Sequence, residues 1–275
     1  MKPAAGRRVI KQRIVTALIA LPLLLLCVFY ATRGLFAGLL FLVSALALHE
    51  FYQMALPKSR RMEGSLAVVA GVFCSVGLIY ADSAPALLMS LVLPGLFLAL
   101  VYLFRFQDMQ SVSRDLAVSL LGLFYIPLLL SHAALLRALP AGRDWVFLVL
   151  FVVMASDTLA YFVGMNWGRH RLYEAVSPKK SVEGSIGGLA GGTLGALICK
   201  VWFFPGLSGV DVLLIGIGVG AFSQLGDLVE SLLKRSFGVK DSGTLIPGHG
   251  GILDRLDSLL FAFPVTYYYA VWIFV

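Results

Sequence analysis

The sequence predicts an all-α integral membrane protein, and three observations support that fold class. Of its 275 residues, 59% are hydrophobic and 13% are charged, with a mean hydropathy of +0.90. In a soluble domain, about a quarter of the residues are charged. The apolar residues fall in long runs, and a helix of about 20 such residues crosses a hydrocarbon core ~30 Å thick. Lys and Arg lie mostly between these runs, as in the loops of a membrane protein.

Nine apolar runs of this kind follow one another along the chain. They lie at 14–31, 34–56, 65–81, 85–104, 115–135, 145–165, 186–206, 209–228 and 258–275. We expect one structural unit, with spans one to five in residues 1–135 and spans six to nine in residues 136–275. The first run follows a basic segment, but it is long and lacks a small-x-small cleavage site, which favours a retained span over a signal peptide.

The basic residues predict the orientation of the spans. Alternate loops hold 18 of the 22 Lys and Arg residues, and such loops stay preferentially on the cytoplasmic side. This places the N-terminus in the cytoplasm and the C-terminus outside. The net charge of +7 is then mainly a topology signal that also favours anionic membrane lipids, and it gives no reason to expect nucleic acid as a partner. The three cysteines lie inside apolar runs and are interpreted as packing residues.

Two long polar segments in the second half of the chain should lie on the cytoplasmic side. The first is NWGRHRLYEAVSPKKSVEGSIGG at 166–188, and the second is FSQLGDLVESLL followed by KRSFGVKDSGTLIPGHGGILDRLD at 222–257. At the start of the following run, two series of glycines recur every four residues, Gly184, Gly188 and Gly192, and Gly187, Gly191 and Gly195. Small residues at this spacing let helix backbones approach closely. Alternatively, the N–H groups at the helix start face a phosphate.

Asp227 is the most informative acid of the second segment. It lies at the end of an apolar run, where a carboxylate is costly and is usually functional or paired. Asp227 and Ser231 lie one helical turn apart, and Glu230 and Lys234 have the same spacing. The alternative is a plain helix-end charge paired with Lys234 or Arg235.

A turn-rich loop should follow that helix, because glycine and proline are frequent in it. These residues are Gly238, Gly243, Pro247, Gly248, Gly250 and Gly251. We expect the glycines to fold the loop closely around phosphate. A helix then resumes with Asp254 and Asp257 on one face of its first turn, where negative charge suits the helix dipole.

The charged residues of both segments together indicate a metal and phosphate site. The four acids are Asp227, Asp241, Asp254 and Asp257, whose oxygens suit a hard cation such as Mg²⁺. The basic residues are Lys179, Lys180, Lys234, Arg235, Lys240 and Arg255. Phosphoryl and nucleotidyl transfer need both kinds of residue, because the transferred group carries several negative charges. His249 is expected to donate to phosphate, to brace the loop or to bind the metal, while the lack of clustered His and Cys argues against zinc.

Two acids lie within the spans themselves, where an ionisable group is a functional candidate. Asp157, four residues before Tyr161, lies about two turns before the cytoplasmic end of the sixth span. A buried partner such as Lys200 is the alternative explanation for it. Glu50, at the end of the second span, has the same status.

These motifs resemble the phosphatidate cytidylyltransferases, also called CDP-diacylglycerol synthases. The signature of that family is matched by Ser231, Lys234, Arg235, Lys240, Asp241, Gly243, Pro247, His249, Gly250, Gly251, Asp254, Arg255 and Asp257. The segments KQRIVTAL, SDTLAYFVG, SPKKSVEGSIGG and SQLGDLVES match as well. The resemblance therefore spans most of the chain.

The resemblance implies an enzyme of the bacterial inner membrane that condenses CTP with phosphatidic acid to give CDP-diacylglycerol and pyrophosphate. It also implies nine helices around a polar cavity open to the cytoplasm, a homodimer, and a Mg²⁺ centre with K⁺ as a second cation. By motif, Asp227 and Asp254 are the metal ligands, while Asp241, Asp257 and Lys240 are further catalytic residues. The expected substrate contacts are Ser177, Lys179, Lys180, Ser231, Lys234, Arg235, His249 and Arg255.

Two other functions compete with this one. Another CTP-using membrane enzyme, such as a polyprenol kinase or a synthase for archaeal ether lipids, would share the phosphate chemistry. A transporter would use Asp157, Glu50 and Lys200 as an ion path, and it predicts inverted repeats with broken spans in both halves. The polar residues crowd one face of one half instead, which favours the transferase.

Overall fold

The computed structural model describes residues 18, 22–23, 25–105, 107–246, 248 and 250–274. This part of the chain is mostly helical and includes one short two-stranded hairpin. The predicted first span at 14–31 lies largely outside the described residues, although residues 25–30 are helical.

Eight helices in the described part of the chain are long and apolar enough to cross a membrane. They are Arg33–Ala55, Lys58–Tyr80, Ala84–Arg105, Met109–Ala138, Gly142–Trp167, Val182–Trp202, Gly209–Ser236 and Leu253–Phe274. They correspond in order to predicted spans two to nine, so the all-α membrane class is confirmed. The total of nine spans and their orientation stay predictions.

Several of these spans combine more than one kind of helix. We label the α-helices α1 (Arg33–Ala55), α2 (Arg61–Tyr80), α3 (Ala84–Arg105), α4 (Met109–Leu123), α5 (Leu129–Ala138), α6 (Gly142–Trp167), α7 (Val182–Trp202), α8 (Gly209–Ser236) and α9 (Leu253–Tyr269). A 3₁₀ turn, Lys58–Arg60, precedes α2, and π-helical turns at Phe124–Leu128 and Ala270–Phe274 follow α4 and α9. The first π turn contains Pro127, which has no N–H to donate to the α-helical ladder.

The chain divides into two compact units. The first comprises Met1–Ala134 and Val239–Asp254, and the second comprises Leu135–Gly238 and Arg255–Val275. Most of the loop between α8 and α9 therefore belongs with the N-terminal helices. The sequence-based grouping of residues 136–275 did not separate this loop from its flanking helices.

Buried tyrosines connect the helices of the first unit. The Tyr52 hydroxyl on α1 donates to the Ser119 carbonyl on α4 at 2.8 Å, and the Tyr102 hydroxyl lies 2.9 Å from Ser119 Oγ. Gly122 makes this packing possible, because a Cβ there would lie 2.7 Å from the Tyr52 ring and 2.8 Å from the Phe51 ring. The result is a close contact between α1 and α4.

A buried ion cluster joins the helix ends of the same unit. Arg60 is 1% exposed and lies 3.3 Å from both Glu63 and Asp115, which are 0% and 2% exposed. Arg60 Nη1 also donates to the Arg105 carbonyl at 2.8 Å. Buried charges are tolerated when they are paired and hydrogen-bonded in this way.

The glycine repeat of α7 packs against two helices of the second unit. A Cβ at Gly191 would lie 2.5 Å from the Ala155 carbonyl oxygen on α6. One at Gly192 would lie 2.5 Å from the Gly216 carbonyl oxygen on α8. These backbones are too close for any larger residue, which confirms that the repeat serves helix packing.

The SPKKS segment forms a strand, which the all-α prediction did not include. Strands β1 (Arg171–Tyr173) and β2 (Ser177–Ser181) pair antiparallel as a short hairpin directly before α7. Ser181 ends the hairpin and also caps α7, since its Oγ accepts from the Gly184 N–H at 3.1 Å. The hairpin is thereby joined firmly to the start of α7.

Candidate active site

Asp227, near the C-terminal end of α8, forms an ion pair across the second unit. Its Oδ2 lies 2.8 Å from Lys180 Nζ on β2, and its Oδ1 accepts from Ser231 Oγ at 3.3 Å. The structure thus gives Asp227 a partner, Lys180, that the sequence did not suggest, while Lys234 pairs with Glu230. Helix geometry explains this, because Glu230 and Lys234 are four residues apart on one stripe.

Two more carboxylates lie close to this ion pair. Asp157 on α6 interacts electrostatically with Asp227, Lys180 and Arg255, and Asp257 on α9 interacts with Asp227 and Asp157. Gly226 permits the approach of α9, because a Cβ there would lie 2.5 Å from the Asp257 carbonyl oxygen. Three acids thus surround one region of the second unit.

Lys200 does not serve as the partner of Asp157. The Lys200 ammonium donates to the Leu207 carbonyl at 2.5 Å, in the last turn of α7. Asp157 lies between Ser156 and Ala160, which are level with Gly188, because a Cβ there would lie 3.2 Å and 3.1 Å from them. Lys200 is 12 residues beyond Gly188, about 18 Å along the helix. A buried Asp157–Lys200 pair was therefore a wrong alternative.

Glu183 fixes the hairpin that carries the predicted phosphate-binding lysines. Its Oε2 accepts from the Arg169 N–H at 3.0 Å and the His170 N–H at 3.2 Å, and its Oε1 lies 2.6 Å from His170 Nδ1. Glu183 is in the first turn of α7, where a negative charge also suits the helix dipole. Glu183 therefore holds the residues just before β1 against the first turn of α7, which follows β2.

Gln224 makes a second polar connection, one turn before Asp227. Its Oε1 accepts from Ser185 Oγ at 2.5 Å, and its Nε2 donates to the Ser185 carbonyl at 3.2 Å. Both bonds are local to the hairpin end of α7. They fix the rotation of α8 that turns Asp227 toward Lys180.

The predicted turn-rich loop is confirmed for the residues that the structure describes. We call residues 237–252 the signature loop; none of its described residues is helical. Gly238, Gly248 and Gly250 have φ of 74°, 78° and 85°, values that favour glycine. Pro247 and the predicted substrate residue His249 lie outside the described residues.

The predicted substrate contacts differ in exposure. Those exposed at the surface of their own unit are Lys179, Arg235, Lys240 and Arg255, together with the acid Asp241. Those of intermediate burial are Ser177, Lys180, Ser231 and Lys234. Exposed lysines are therefore present both on the hairpin and on the signature loop.

Asp254 organises the signature loop in the first unit. Its Oδ2 accepts from the Gly251 N–H at 2.8 Å and from both the backbone N–H and the Oγ of Ser242 at 3.0 Å. Asp254 is 7% exposed. Asp254 therefore has a structural role that the sequence did not reveal, and its role as a metal ligand stays a prediction.

A magnesium ion at Asp227 stays a prediction, and the described residues would supply only part of its ligands. In the described part of the chain, no three His, Cys, Asp or Glu residues form a group able to hold a metal. Mg²⁺ commonly takes one or two protein carboxylates and completes its octahedron with water and substrate phosphates. In the structure, the cation next to the Asp227 carboxylate is the Lys180 ammonium, at 2.8 Å.

Sequence reasoning missed Ser242, Glu183 and Gln224. Ser242 has no local signal, because it is a single hydroxyl in a glycine-rich loop. Glu183 did have a local sequence signal, because an acid two residues after a capping Ser is typical of the first turn of a helix. Gln224 lies one turn before Asp227 within an apolar run, where any polar residue is a candidate for a specific contact.

One known protein family matches nearly the whole chain. The model of the Cytidylyltransferase family matches residues 11–273. The chain belongs to this family. The match includes the hairpin, Asp227 and the entire signature loop, so the cytidylyltransferase residues discussed above all lie inside the family domain.

Curated members of the family are similar to this cytidylyltransferase over nearly its whole length. The phosphatidate cytidylyltransferase of Synechocystis sp. is 35% identical over 295 aligned residues, covering 94% of this chain and 96% of that protein. The one from Staphylococcus haemolyticus is 36% identical, covering 93% and 96%. The one from Thermotoga maritima is 32% identical, covering 94% and 95%.

Proposed function

We propose that this protein is a phosphatidate cytidylyltransferase that converts CTP and phosphatidic acid to CDP-diacylglycerol and pyrophosphate in phospholipid biosynthesis. The observation that carries this proposal is the similarity over 93–94% of the chain to relatives that bear this name. The ion pair of Asp227 and Lys180 supports it, because nucleotidyl transfer needs both a carboxylate for a cation and an ammonium for phosphate.

The reaction is an in-line displacement at the α-phosphorus of CTP. A phosphate oxygen of phosphatidate attacks that phosphorus and forms a new P–O bond, while the bond to the bridging α–β oxygen breaks. That oxygen leaves with pyrophosphate and keeps the electron pair. The attacking phosphate oxygen is already anionic near neutral pH, because the second pKa of a phosphate monoester is about 6. The reaction therefore needs no general base.

The basic residues of this chain neutralise and orient the triphosphate. Lys179 and Lys180 project from the hairpin that Glu183 and Ser181 fix, while Lys240 lies on the signature loop. Fixed cations stabilise the charge that builds up on the leaving pyrophosphate without reorganising during the reaction. We assign the same kind of contact to Ser177, Ser231, Lys234, Arg235, His249 and Arg255.

Asp227 is the carboxylate that would hold Mg²⁺, and Asp254 stays a predicted second ligand. When bound, the metal neutralises phosphate oxygens and stabilises the leaving group. Lys180 balances the charge of Asp227, and Ser231 orients its other oxygen. A requirement for K⁺ as a second cation also stays a prediction, as do the catalytic roles of Asp241 and Asp257.

A direct assay tests the function. Purified protein in detergent, given labelled CTP, phosphatidate and Mg²⁺, should form labelled CDP-lipid and pyrophosphate in equal amounts. Undecaprenol offered in place of phosphatidate tests the polyprenol kinase alternative, since a kinase would release CDP rather than pyrophosphate. No CDP-lipid from phosphatidate would refute the proposal.

Asp227→Asn and Asp211→Asn form a matched pair of variants for the site. Both acids lie on α8, 16 residues apart, which is about 24 Å along a helix. Asp211 caps the opposite end of α8 and accepts from Tyr269. We expect Asp227→Asn to lose at least about 100-fold in turnover, and Asp211→Asn to retain it. Near-normal turnover of Asp227→Asn would remove Asp227 from the site.

The location and assembly of the enzyme are part of the proposal. Soluble CTP and membrane phosphatidate meet most readily at a cavity open to the cytoplasm in the bacterial inner membrane, as the basic loops predict. A reporter fused to the C-terminus should then be active only outside the cytoplasm. We also propose a homodimer, which native mass spectrometry in detergent would detect as twice the 29.8 kDa chain mass.

A further inference from the structure

Glu50 is a buried acid that the proposed reaction does not use. It lies in the last two turns of α1 and is 5% exposed. A carboxylate in such an apolar helix is costly unless it has specific partners. The burial of Glu50 therefore predicts specific hydrogen-bond partners for its carboxylate.

One oxygen of Glu50 binds two groups at the signature loop and the start of α9. Glu50 Oε2 accepts from the Leu253 N–H at 3.0 Å and lies 3.1 Å from Ser242 Oγ, whose one proton is shared with Asp254. Leu253 is the first residue of α9, so its N–H has no partner within that helix. Glu50 thus caps a helix from a position 203 residues earlier in the chain.

The signature loop is shaped around this carboxylate. A Cβ at Gly243 would lie 2.5 Å from Glu50 Oε1, and one at Gly251 would lie 2.3 Å from Glu50 Oε2. Neither glycine has a positive φ, so the reason for glycine at both positions is the space that Glu50 occupies. The loop encloses the carboxylate from two sides.

Ser242 connects Glu50 to Asp254. Its Oγ lies 3.1 Å from Glu50 Oε2 and 3.0 Å from Asp254 Oδ2, and it also accepts from the Asp254 N–H at 3.3 Å. The Ser242 oxygen thus lies between the two carboxylates, and its contacts with both set the distance between them. A shift of Glu50 would move Ser242 and, with it, Asp254.

We propose that Glu50 is a positioning residue that anchors the signature loop and holds Asp254 and Lys240 where nucleotidyl transfer requires them. This inference rests on the proposed function and adds to it a residue outside the family signature. Its second oxygen, Oε1, is buried without a hydrogen-bond partner among the described residues.

Glu50→Ala and Glu50→Gln test the proposal, with Glu63→Ala and Glu63→Gln as controls. Glu63 is 0% exposed, belongs to the same unit and pairs with Arg60 rather than with the loop. We expect Glu50→Ala to lose about 100-fold in kcat/KM for CTP per folded enzyme, since a displacement of ~1 Å can cost this much. Glu50→Gln keeps an acceptor for the Leu253 N–H and should recover most of that loss. The Glu63 variants should unfold at lower temperature but retain kcat and KM.

Hydrogen exchange separates anchoring from general destabilisation. In Glu50→Ala, the amides of Ser242, Gly251 and Leu253 should exchange faster than in wild type, whereas Glu63→Ala should leave them unchanged. The proposal is overturned if Glu50→Ala keeps wild-type kinetics, or if it loses activity with unchanged exchange at these amides. It is also overturned if Glu50→Gln is as inactive as Glu50→Ala while its loop exchanges like wild type.

The exchange measurement needs no substrate, so it keeps the two proposals apart. If the wild-type protein forms no CDP-lipid, the proposed function fails and the kinetic part of this inference fails with it. Exchange still decides whether Glu50 anchors the loop. If the wild-type protein is active and Glu50→Ala shows neither the loss of kcat/KM nor the faster amide exchange, only the role of Glu50 is refuted.

Discussion

Replacing Gly251 by alanine should disrupt the signature loop through steric overlap alone. The new Cβ would lie 2.2 Å from Ser242 Oγ and 2.3 Å from Glu50 Oε2, whereas non-bonded atoms settle at about 3.5–4.0 Å. At least one of these groups must therefore move by about 1 Å. Either movement breaks a buried hydrogen bond to a carboxylate, such as Ser242 to Asp254 or Leu253 to Glu50. Each such bond contributes about 1.5–3 kcal/mol, so we expect a loss of about 2–4 kcal/mol.

Two further glycine variants are controls that separate overlap from backbone effects. Nothing lies within 4 Å of the Cβ position at Gly218 or at Gly238. Gly218 lies in α8, where alanine should gain up to about 1 kcal/mol. Gly238 has φ +74°, so alanine there costs about 1–2 kcal/mol of strain without overlap.

Thermal unfolding in detergent, followed by tryptophan fluorescence at one scan rate, measures the effect. A change of 1 kcal/mol shifts Tm by roughly 2–4 °C in a protein of this size class, so Gly251→Ala should unfold about 4–16 °C lower than wild type. Turnover in the same preparation should fall as well. A Tm for Gly251→Ala equal to that of Gly218→Ala would refute the packing of the loop around Glu50.

Three other substitutions test the second unit. Lys180→Met should raise KM for CTP about tenfold or more by removing a phosphate contact, and an unchanged KM would remove Lys180 from the nucleotide site. Glu183→Gln should weaken the hydrogen bonds to Arg169 and His170 and raise KM for CTP more modestly. Protease should also cleave the hairpin faster, and a cleavage rate equal to that of wild type would contradict this. Gly191→Ala places a Cβ 2.5 Å from the Ala155 carbonyl and should lower Tm by several degrees with unchanged KM in the folded fraction, in contrast to Gly218→Ala.

The membrane spans could be predicted because hydropathy measures what the bilayer requires, but helix ends could not. The run at 209–228 predicted a helix that the structure extends to Ser236. The apolar run ends where the hydrocarbon core ends, whereas the helix continues through the Glu230–Lys234 pair. Likewise, α7 begins at Val182 rather than 186, because Ser181 caps it.

The partners in the site could not be predicted, because they come from distant parts of the sequence. Spacing suggested Lys234 or Arg235 for Asp227, yet the partner is Lys180, 47 residues earlier, on a hairpin that apolar periodicity did not reveal. The contact between Glu50 and Ser242 spans 192 residues. Local patterns identify which residues are costly to bury, and only packing shows what compensates that cost.

The glycines of the signature loop now separate into two groups with different physical reasons. Gly238, Gly248 and Gly250 adopt positive φ, so they allow the chain to turn. Gly243 and Gly251 have no such requirement and instead leave room for the Glu50 carboxylate. Folding around phosphate, the role expected from sequence, therefore cannot account for all of them. Since Glu50 also caps α9, the loop and the first turn of that helix should order together, and a change at Glu50 should affect Asp254 before it affects the distant spans.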